Sequence, residues 1–315
     1  MFGGDFMDRS KKVLKKRKQD LSIPKFQELF NTEQACHDYL FKLKWPNGFV
    51  CSKCEHNEYY FVKKNSLYQC KCCKKQHSVT AGTLFHGSHV SLRQWFWAIY
   101  LISRDKRGYS AVALKNALNV SYPTAWLMLQ KIRTAMANKD EDYILSGIIV
   151  IGDAFFGGKT EGKKRGRGTE QSNVLVNVSV TEKNQPLFVK MQVVENMKKE
   201  QVLPAVQGMV ESGAILRSDA HRTLANLEGY QHQVIIASKD KDKAKQVLHW
   251  VNVVISNAKS AILGTYHGLP DKHIQKYLDE YCYRFNRRFC EHQIFSKLVK
   301  ACVMAKPIAL AEITL

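Results

Sequence analysis

Two Cys-x-x-Cys pairs occur near the start of the chain, in CSKC and CKCC. The four paired cysteines are Cys51, Cys54, Cys70 and Cys73, with fifteen residues between the pairs. Two such pairs, each on a tight turn, give the tetrahedral thiolate set of a structural zinc site. The spacing predicts one zinc ion in a short β-rich module, and iron or a chance spacing is the alternative. Cys72 is the spare cysteine, because pairing it with Cys70 would leave only one residue between them.

Two aspartates in the second half of the chain lie at the ends of predicted strands. Asp153 ends the strand in SGIIVIGD, and Asp219 ends the strand in AILRSD. If these strands are neighbours in a sheet, both carboxylates emerge at one edge, where Mg²⁺ can bind them together with water and phosphate oxygens. Two such ions can activate a water or a 3′-hydroxyl and stabilise the leaving oxygen. The alternative is that each aspartate only caps the turn after its strand.

A third candidate lies on the predicted helix that begins at HWVNVVISNAK. Asn252 and Lys259 are seven residues apart, close to two helical turns, so their side chains point the same way. The predicted buried stripe of this helix is Val251, Val254, Ile255, Ala258 and Ile262. By itself this pattern also fits a polar residue on the exposed face of an amphipathic helix.

The elements that must position these residues change character along the chain. Up to about residue 143 the sequence predicts the β-rich zinc module followed by helices. From residue 144 it predicts three strands, a helix, a strand, a helical or loop connection, a strand and a helix, which is the order of a ribonuclease H-like α/β fold. The predicted divisions are a basic segment at 1–35, the zinc ribbon at 36–90, a helical DNA-binding region at 91–143 and the catalytic domain at 144–315.

The helical region contains a candidate helix-turn-helix. In YSAVALKNALNVSYPTAWLMLQ, residues 119–121 form the predicted turn and Ser121 caps the second helix. That helix carries Tyr122 and Thr124 in its first turn, where a DNA-reading helix contacts the bases. The alternative is a plain helical linker.

The charge of the chain favours a polyanionic partner. The formal net charge is +20, from 48 Lys and Arg against 28 Asp and Glu, and this favours nucleic acid over a membrane surface. The longest apolar run, WFWAIYLI, is too short to cross a bilayer, and MFGGDFMD has no signal-peptide character. Nine cysteines, an odd number with five clustered, indicate a reducing compartment. We therefore expect a cytoplasmic, nucleoid-associated protein with no membrane partner.

Together these motifs resemble the zinc-ribbon DDE transposases of bacterial insertion sequences, the ISXO2-like transposase family. The stretches that carry the resemblance are CSKC with CKCC, HSVTAGTLFHGS, LRQWFWAIYL, GDAFFGGK with GRG, SDAH, VNVVISNAKSAILGTYHG and YLDEYCYRFNRR. The resemblance implies that Asp153, Asp219 and Asn252 bind Mg²⁺ or Mn²⁺ and that Lys259 contacts DNA phosphate near the cut. Asn252 stands where the family usually has an acidic ligand, and some members resemble this chain in using Asn there.

The resemblance also suggests further site residues. Glu280 shares a helix face with Arg284 and Arg287, and the family pattern suggests that this face belongs to the active region. A structural ion pair between Glu280 and Arg284 is the alternative. The predicted DNA-binding residues are Tyr122, Thr124, Lys163, Lys164, Arg165, Arg167, Arg284, Arg287 and Arg288. The four between 163 and 167 lie in a basic, glycine-rich loop that can follow a DNA backbone or be an ordinary surface loop.

The function implied is that of a transposase. Such a protein binds terminal inverted repeats, cuts at the element ends and joins the 3′-hydroxyls to target DNA, assembled as a homo-oligomer on double-stranded DNA. Two alternatives remain open: a nuclease of the same fold that does not transfer strands, and a DNA-binding protein derived from a transposase that no longer cuts. Intact Asp153 and Asp219 argue against the second, whereas Asn252 leaves it open.

Overall fold

The computed structural model describes residues 21–157, 171–219, 227–236, 238–266 and 269–314. The basic run at 11–18 and the predicted DNA contacts Lys163, Lys164, Arg165 and Arg167 lie outside these residues. Within them, no helix combines the length and the apolar character needed to span a membrane.

Two helices precede the small sheet of the zinc module. The first lies in the predicted basic segment of 1–35, and the second lies mostly within the predicted ribbon of 36–90. Helix α1 covers Ile23–Leu29 and helix α2 covers Glu33–Lys44. Each begins at a hydroxyl cap, because Ser22 accepts from Lys25 N–H and Thr32 accepts from Ala35 N–H. The described part of the segment up to residue 35 is therefore largely helical.

The zinc module itself is a small antiparallel sheet, as predicted. Its strands, which lie in the order β1-β2-β3, are β1 (Tyr59–Val62), β2 (Leu67–Cys70) and β3 (Gln76–His77). Aromatic side chains from α2 and from the sheet pack together on one side, with the rings of Phe41 and Tyr68 4.7 Å apart. This packing attaches the module to α2.

Three helices follow the zinc module. They are α3 (Leu92–Arg104), α4 (Ala111–Leu118) and α5 (Tyr122–Glu141). Asn119 ends α4 in the left-handed conformation, with φ of 50°, and Ser121 caps α5 by accepting from Thr124 N–H. A helix, a turn and a helix lie where the sequence places them, and α5 continues past Met136 to Glu141. The interpretation of this region as a DNA-binding helix-turn-helix stays a prediction.

The second half of the chain is built on a five-stranded sheet. Its strands and the helix between them are β4 (Ile148–Phe156), β5 (Ser172–Val180), β6 (Pro186–Val194), α6 (Lys199–Met209), β7 (Ile215–Asp219) and β8 (Gln231–Ile235). The strand order is β6-β5-β4-β7-β8. Strands β4, β5 and β6 are antiparallel, whereas β4, β7 and β8 are parallel. All five strands lie where the sequence predicts them.

Helices cover both faces of this sheet. Those that follow β8 are α7 (Lys241–Val247), α8 (His249–Thr265), α9 (Ile274–Asn286), α10 (Ile294–Met304) and α11 (Leu310–Thr314). Helices α8 and α9 bury their apolar stripes on one face of the sheet, and α6 packs on the other. In α8 the stripe predicted from the sequence packs into this core, with Ile255 only partly buried.

A separate hydrophobic core unites the first half of the chain with α10. Side chains from α1 to α5 pack together with Leu298, Val299 and Cys302 of α10. Leu84 N–H also donates to the Cys302 carbonyl at 3.0 Å. Helix α10, placed by the sequence in the catalytic domain of 144–315, thus packs in the core of the first half of the chain. The predicted domain limits stay a prediction.

Candidate catalytic site and zinc centre

The four predicted zinc ligands form one cluster. The Sγ atoms of Cys51, Cys54, Cys70 and Cys73 all lie within 4.8 Å of one another. Cys51 and Cys73 are 3.5 Å apart at sulfur, as are Cys54 and Cys70. Cys72 is exposed and outside the cluster. Four thiolates at such separations fit the tetrahedral coordination of a structural zinc ion.

Both cysteine pairs lie on turns of the same geometry. In each turn the first cysteine donates its N–H to the carbonyl five residues on, and the residue four positions on donates back to the carbonyl of that cysteine. The residue that donates back is in the left-handed conformation; these residues are Glu55 and Lys74. The repeated turn holds both sulfurs of each pair on the same side of the backbone, so the ligand positions are set by the fold.

One residue of the zinc centre was not predicted. The Nε2 atom of His77 lies 3.4 Å from the Cys51 sulfur, and its ring packs against Phe49 at 5.2 Å. A hydrogen bond to a ligand sulfur orients that ligand and tunes its charge. No spacing rule indicates His77, because it reaches Cys51 only through the pairing of β3 with β2.

The two predicted carboxylates lie on neighbouring strands, but only one of them ends its strand. Asp219 is the last residue of β7, whereas β4 continues three residues past Asp153 to Phe156. Strand β4 pairs in parallel with β7, with Ile151 opposite Ser218. Asp219 is therefore level with Gly152, one residue before Asp153. Both aspartates are partly buried. The condition set by the sequence, that their strands be adjacent, is met, and their role as metal ligands stays a prediction.

Helix α8 crosses β4 beside Asp153, and a glycine permits the close approach. A Cβ atom on Gly152 would lie 2.9 Å from Val251 Cγ2 and 3.7 Å from Ile255 Cδ1. Any larger residue at Gly152 would displace α8. Asn252, which follows Val251, is exposed at this crossing. The fold thus places the start of α8 next to Gly152, the residue before Asp153 on β4.

Lys259 lies over the end of the same strand. Its Nζ atom is 5.7 Å from the ring centroid of Phe156, the last residue of β4. Asn252 and Lys259 therefore both lie on the part of α8 that covers β4, about two helical turns apart.

Glu280 is buried in an ion-pair cluster, and its predicted catalytic role stays a prediction. Its side chain is 3% exposed and lies between two arginines. Arg133 Nε donates to Oε2 at 2.7 Å, and Arg284 Nη2 donates to Oε1 at 2.7 Å. The hydroxyl of Tyr266 donates to the same carboxylate. The structural ion pair, left open by the sequence, is the arrangement observed.

The arginines of RFNRR also serve internal contacts. Arg287 pairs with Asp140 at 2.6 Å, and Arg288 donates to the carbonyl oxygens of Leu187 and Pro186. Arg284 is itself 9% exposed. These guanidinium groups hold α9 to neighbouring elements, and the DNA contact predicted for them stays a prediction.

The first turn of α5 presents one exposed residue of the candidate DNA reader. Tyr122 is 49% exposed. Thr124 is partly buried, and its hydroxyl lies 2.8 Å from that of Ser121 within the helix cap. Further along, Gln130 and Arg133 are buried against α9. Tyr122 can therefore contact a partner, whereas Thr124 has a capping role, and the use of these helices on DNA stays a prediction.

Comparison with known proteins relates both the four-cysteine ribbon and the α/β sheet to transposases. The model of the ISXO2-like transposase domain matches residues 144–286, and that of the transposase zinc-ribbon domain matches residues 31–76. Residues 144–286 are thus similar to the DDE domain of ISXO2-like transposases, which implies a ribonuclease H-like fold for the five-stranded sheet. An uncharacterised protein in transposable element ISH50 of Halobacterium salinarum is 28% identical over 132 residues, which is 38% of this chain and 44% of that protein. The chain thus matches less than half the length of this relative.

Proposed function

We propose that the chain is an active polynucleotidyl transferase. It binds the terminal inverted repeats of its element, cleaves DNA at their ends and joins the freed 3′-hydroxyls to target DNA. The observation that supports this most is that Asp153 and Asp219 lie on neighbouring parallel strands, with Asp219 level with the residue before Asp153, where α8 crosses β4. Partly buried carboxylates on such neighbouring strands are suited to bind cations beside a phosphate.

The donor set fits a hard divalent cation. Asp153, Asp219 and the amide oxygen of Asn252 would hold Mg²⁺ or Mn²⁺, which prefer oxygen ligands. Such an ion, when bound, activates the attacking oxygen and stabilises the leaving one. The amide brings no charge, so two carboxylates must supply the attraction. Lys259 adds a positive charge beside Phe156 and would position the DNA phosphate at the cut.

DNA binding is assigned mainly to the first half of the chain. The zinc ribbon and the α4–α5 pair carry it, with Tyr122 exposed for contact. The +20 charge of the whole chain supports a DNA partner and association with the nucleoid. Cleavage at two element ends calls for two active sites, so the chain acts as a homo-oligomer on DNA.

The test separates binding from cleavage. Asp153→Asn preserves side-chain volume but removes the charge, so cleavage of a labelled inverted-repeat duplex should fall more than about 100-fold, because even residues that only support a metal ligand cost 10–100-fold. Its affinity in a gel shift should change less than about twofold. Joined products in the wild-type reaction distinguish strand transfer from hydrolysis.

Asp242→Asn, on the exposed surface of α7, is the matched control and should cleave at the wild-type rate. Equal cleavage by the Asp153 and Asp242 variants would overturn the proposal. Loss of binding by Asp153→Asn to the same extent as cleavage would overturn the assignment of binding to the first half.

A further inference from the structure

A wide groove lies on the side of α8 away from Asn252. Its volume is about 1250 Å³, and it is bounded by the segment that ends α3, by α8, by α9 and by the start of α10. The α8 wall consists of small residues, with Asn257, Ser260 and Gly264 all exposed. Because these side chains are short, they leave the groove open along the helix.

The charge in this groove is mostly positive. The cations that line it are Arg104, Lys106, Arg107, Arg284 and Arg288, against the acids Asp105 and Glu291. The Asp105 carboxylate accepts two hydrogen bonds from the guanidinium group of Arg107, at 3.1 and 3.0 Å. This hydrogen bonding lowers the pKa of Asp105. Asp105 is thus ionised, and the positive charge of Arg107 balances its negative charge. The exposed Arg104 and Lys106 give the rim its positive charge.

Aromatic rings line the same groove. Tyr109, Tyr281 and Phe285 contribute to its wall and are partly exposed. The guanidinium carbon of Arg288 lies 4.0 Å from the centre of the Phe285 ring. A positive groove with aromatic and guanidinium surfaces combines the two features that bind single-stranded nucleic acid, namely phosphate attraction and base stacking.

We propose that this groove binds an unpaired DNA strand, with its phosphates between the 104–107 segment and α8 and its bases towards Phe285 and Tyr281. This proposal rests on the proposed function, from which it takes DNA as the substrate. Lys259 and Ser260 are consecutive residues of α8, one beside Phe156 and the other in the groove. A strand leaving the cut could therefore pass around α8 directly into the groove. From Asn252 to Gly264 the helix rises about 18 Å, enough to follow several nucleotides.

The experiment measures binding of labelled DNA by fluorescence anisotropy, with the zinc-loaded full chain and without magnesium or manganese. The probes are a single strand of the element end, a single strand of unrelated sequence and the inverted-repeat duplex. The groove variant combines Lys106→Glu with Ser260→Glu, both at exposed positions. The control, Lys183→Glu, reverses an exposed charge in the turn between β5 and β6. Thermal melting of each variant checks that it is folded.

We expect the groove variant to bind both single strands at least about tenfold more weakly, whereas its affinity for the duplex changes less than about twofold. The slope of log affinity against log salt on single strands should fall by about 0.7 for each phosphate that the variant no longer neutralises. If only the affinity for the element-end strand falls, the groove binds that strand specifically. An equal loss of affinity for both single strands would indicate that the groove binds any unpaired strand.

Single-strand affinity equal to that of Lys183→Glu would overturn the proposal. An equal loss on duplex and single strands would overturn the assignment to unpaired DNA. These results are independent of cleavage, because no reaction occurs without the metal. The two proposals can fail separately. If the wild-type chain never cleaves DNA but the groove variant loses single-strand binding, the proposed function is contradicted and the proposal for the groove is supported.

Discussion

At the scale of single residues, the approach of α8 to β4 depends on Gly152. Because that position lacks a Cβ, Val251 can pack directly on the strand next to the residue that precedes Asp153. The neighbouring Asn252 is exposed, and its side chain contributes nothing to the core. The residue can be changed with little effect on the fold.

We predict that Asn252→Ala removes cleavage without loss of stability or duplex affinity. Surface substitutions usually change the free energy of unfolding by less than about 0.5 kcal/mol, so a loss of activity would reflect the missing metal ligand. Asn252→Glu should retain cleavage, because a carboxylate supplies an oxygen ligand and adds negative charge. Cleavage rates on an inverted-repeat duplex, measured with Mg²⁺ and then Mn²⁺, together with urea unfolding, test both variants.

Lys259→Ala is the comparison, since it removes a positive charge near the phosphate and leaves the metal ligands intact. It should weaken DNA positioning, and its cleavage should recover partly at higher DNA concentration, unlike that of Asn252→Ala. Wild-type cleavage by Asn252→Ala would mean that Asn252 is only a polar surface residue. The third ligand would then come from another residue, and buried Glu280 is a poor candidate.

At the scale of elements, the zinc ribbon allows a clean test because its four ligands differ in exposure. Cys51 and Cys70 are fully buried, so changing them would disturb packing as well as metal binding. Cys54 is exposed, and its loss should report on the metal alone. Cys72, two residues after Cys70 and also exposed, is the matched control.

We expect about one zinc per wild-type chain, close to none in Cys54→Ser and about one in Cys72→Ser. Structural zinc binding contributes roughly 10 kcal/mol or more to small modules, so the melting temperature of Cys54→Ser should fall clearly. Elemental analysis and thermal unfolding measure the two effects. Equal zinc content in the two variants would contradict the four-cysteine assignment.

Much of the element structure follows from local pattern. The strands at 148–156 and 172–180 are apolar and rich in β-branched residues, and the apolar residues of α8 repeat at helical spacing. Each of these elements can therefore be predicted from its own short stretch of sequence. Asp219 ends its strand as the sequence predicts, whereas β4 continues past Asp153 to Phe156, and the roles of both as metal ligands stay predictions. The contacts of α9 could not be predicted, since Arg133 and Glu280 meet across 147 residues of chain. A basic cluster such as Arg284 to Arg288 looks the same in sequence whether its partner is DNA or a carboxylate.

At the scale of the whole molecule, Glu280 links the two halves. Arg133, from the long helix α5, is 1% exposed and meets the Glu280 carboxylate and the ring of Tyr277, which lies 3.9 Å from its guanidinium carbon. Arg284 donates to the carbonyl of Asp105, at the end of α3, at 2.7 Å. The candidate DNA-reading helices and the sheet therefore meet at one buried charged cluster.

We predict that Glu280→Gln lowers the free energy of unfolding by about 3–5 kcal/mol, because it leaves buried guanidinium charges without a counterion. Glu228→Gln, which breaks an exposed pair with Lys199, should cost less than about 1 kcal/mol. Urea unfolding of the two variants measures the difference. A change as small as that of the control would mean that the cluster does not join the halves.

The same cluster has a pH dependence of defined sign. Burial alone would raise the pKa of Glu280, but attraction to Arg133 and Arg284 outweighs it, and the pKa is lowered. A carboxyl group whose folded pKa is lowered stabilises the fold above its unfolded pKa, and this stability is lost as the pH falls through the folded value. The stability difference between wild type and Glu280→Gln should therefore shrink on acidification.

The packing of α10 into the first core has a consequence for synthesis on the ribosome. The apolar surfaces of α3 and α5 are complete once Met136 has emerged, but Leu298 and Cys302, which cover them, are translated roughly 160 residues later. At roughly 5–20 residues per second this delay is about 8–30 s. During that time the nascent first half of the chain exposes the apolar surface that α10 covers in the folded protein, and such transiently exposed surface is prone to aggregation.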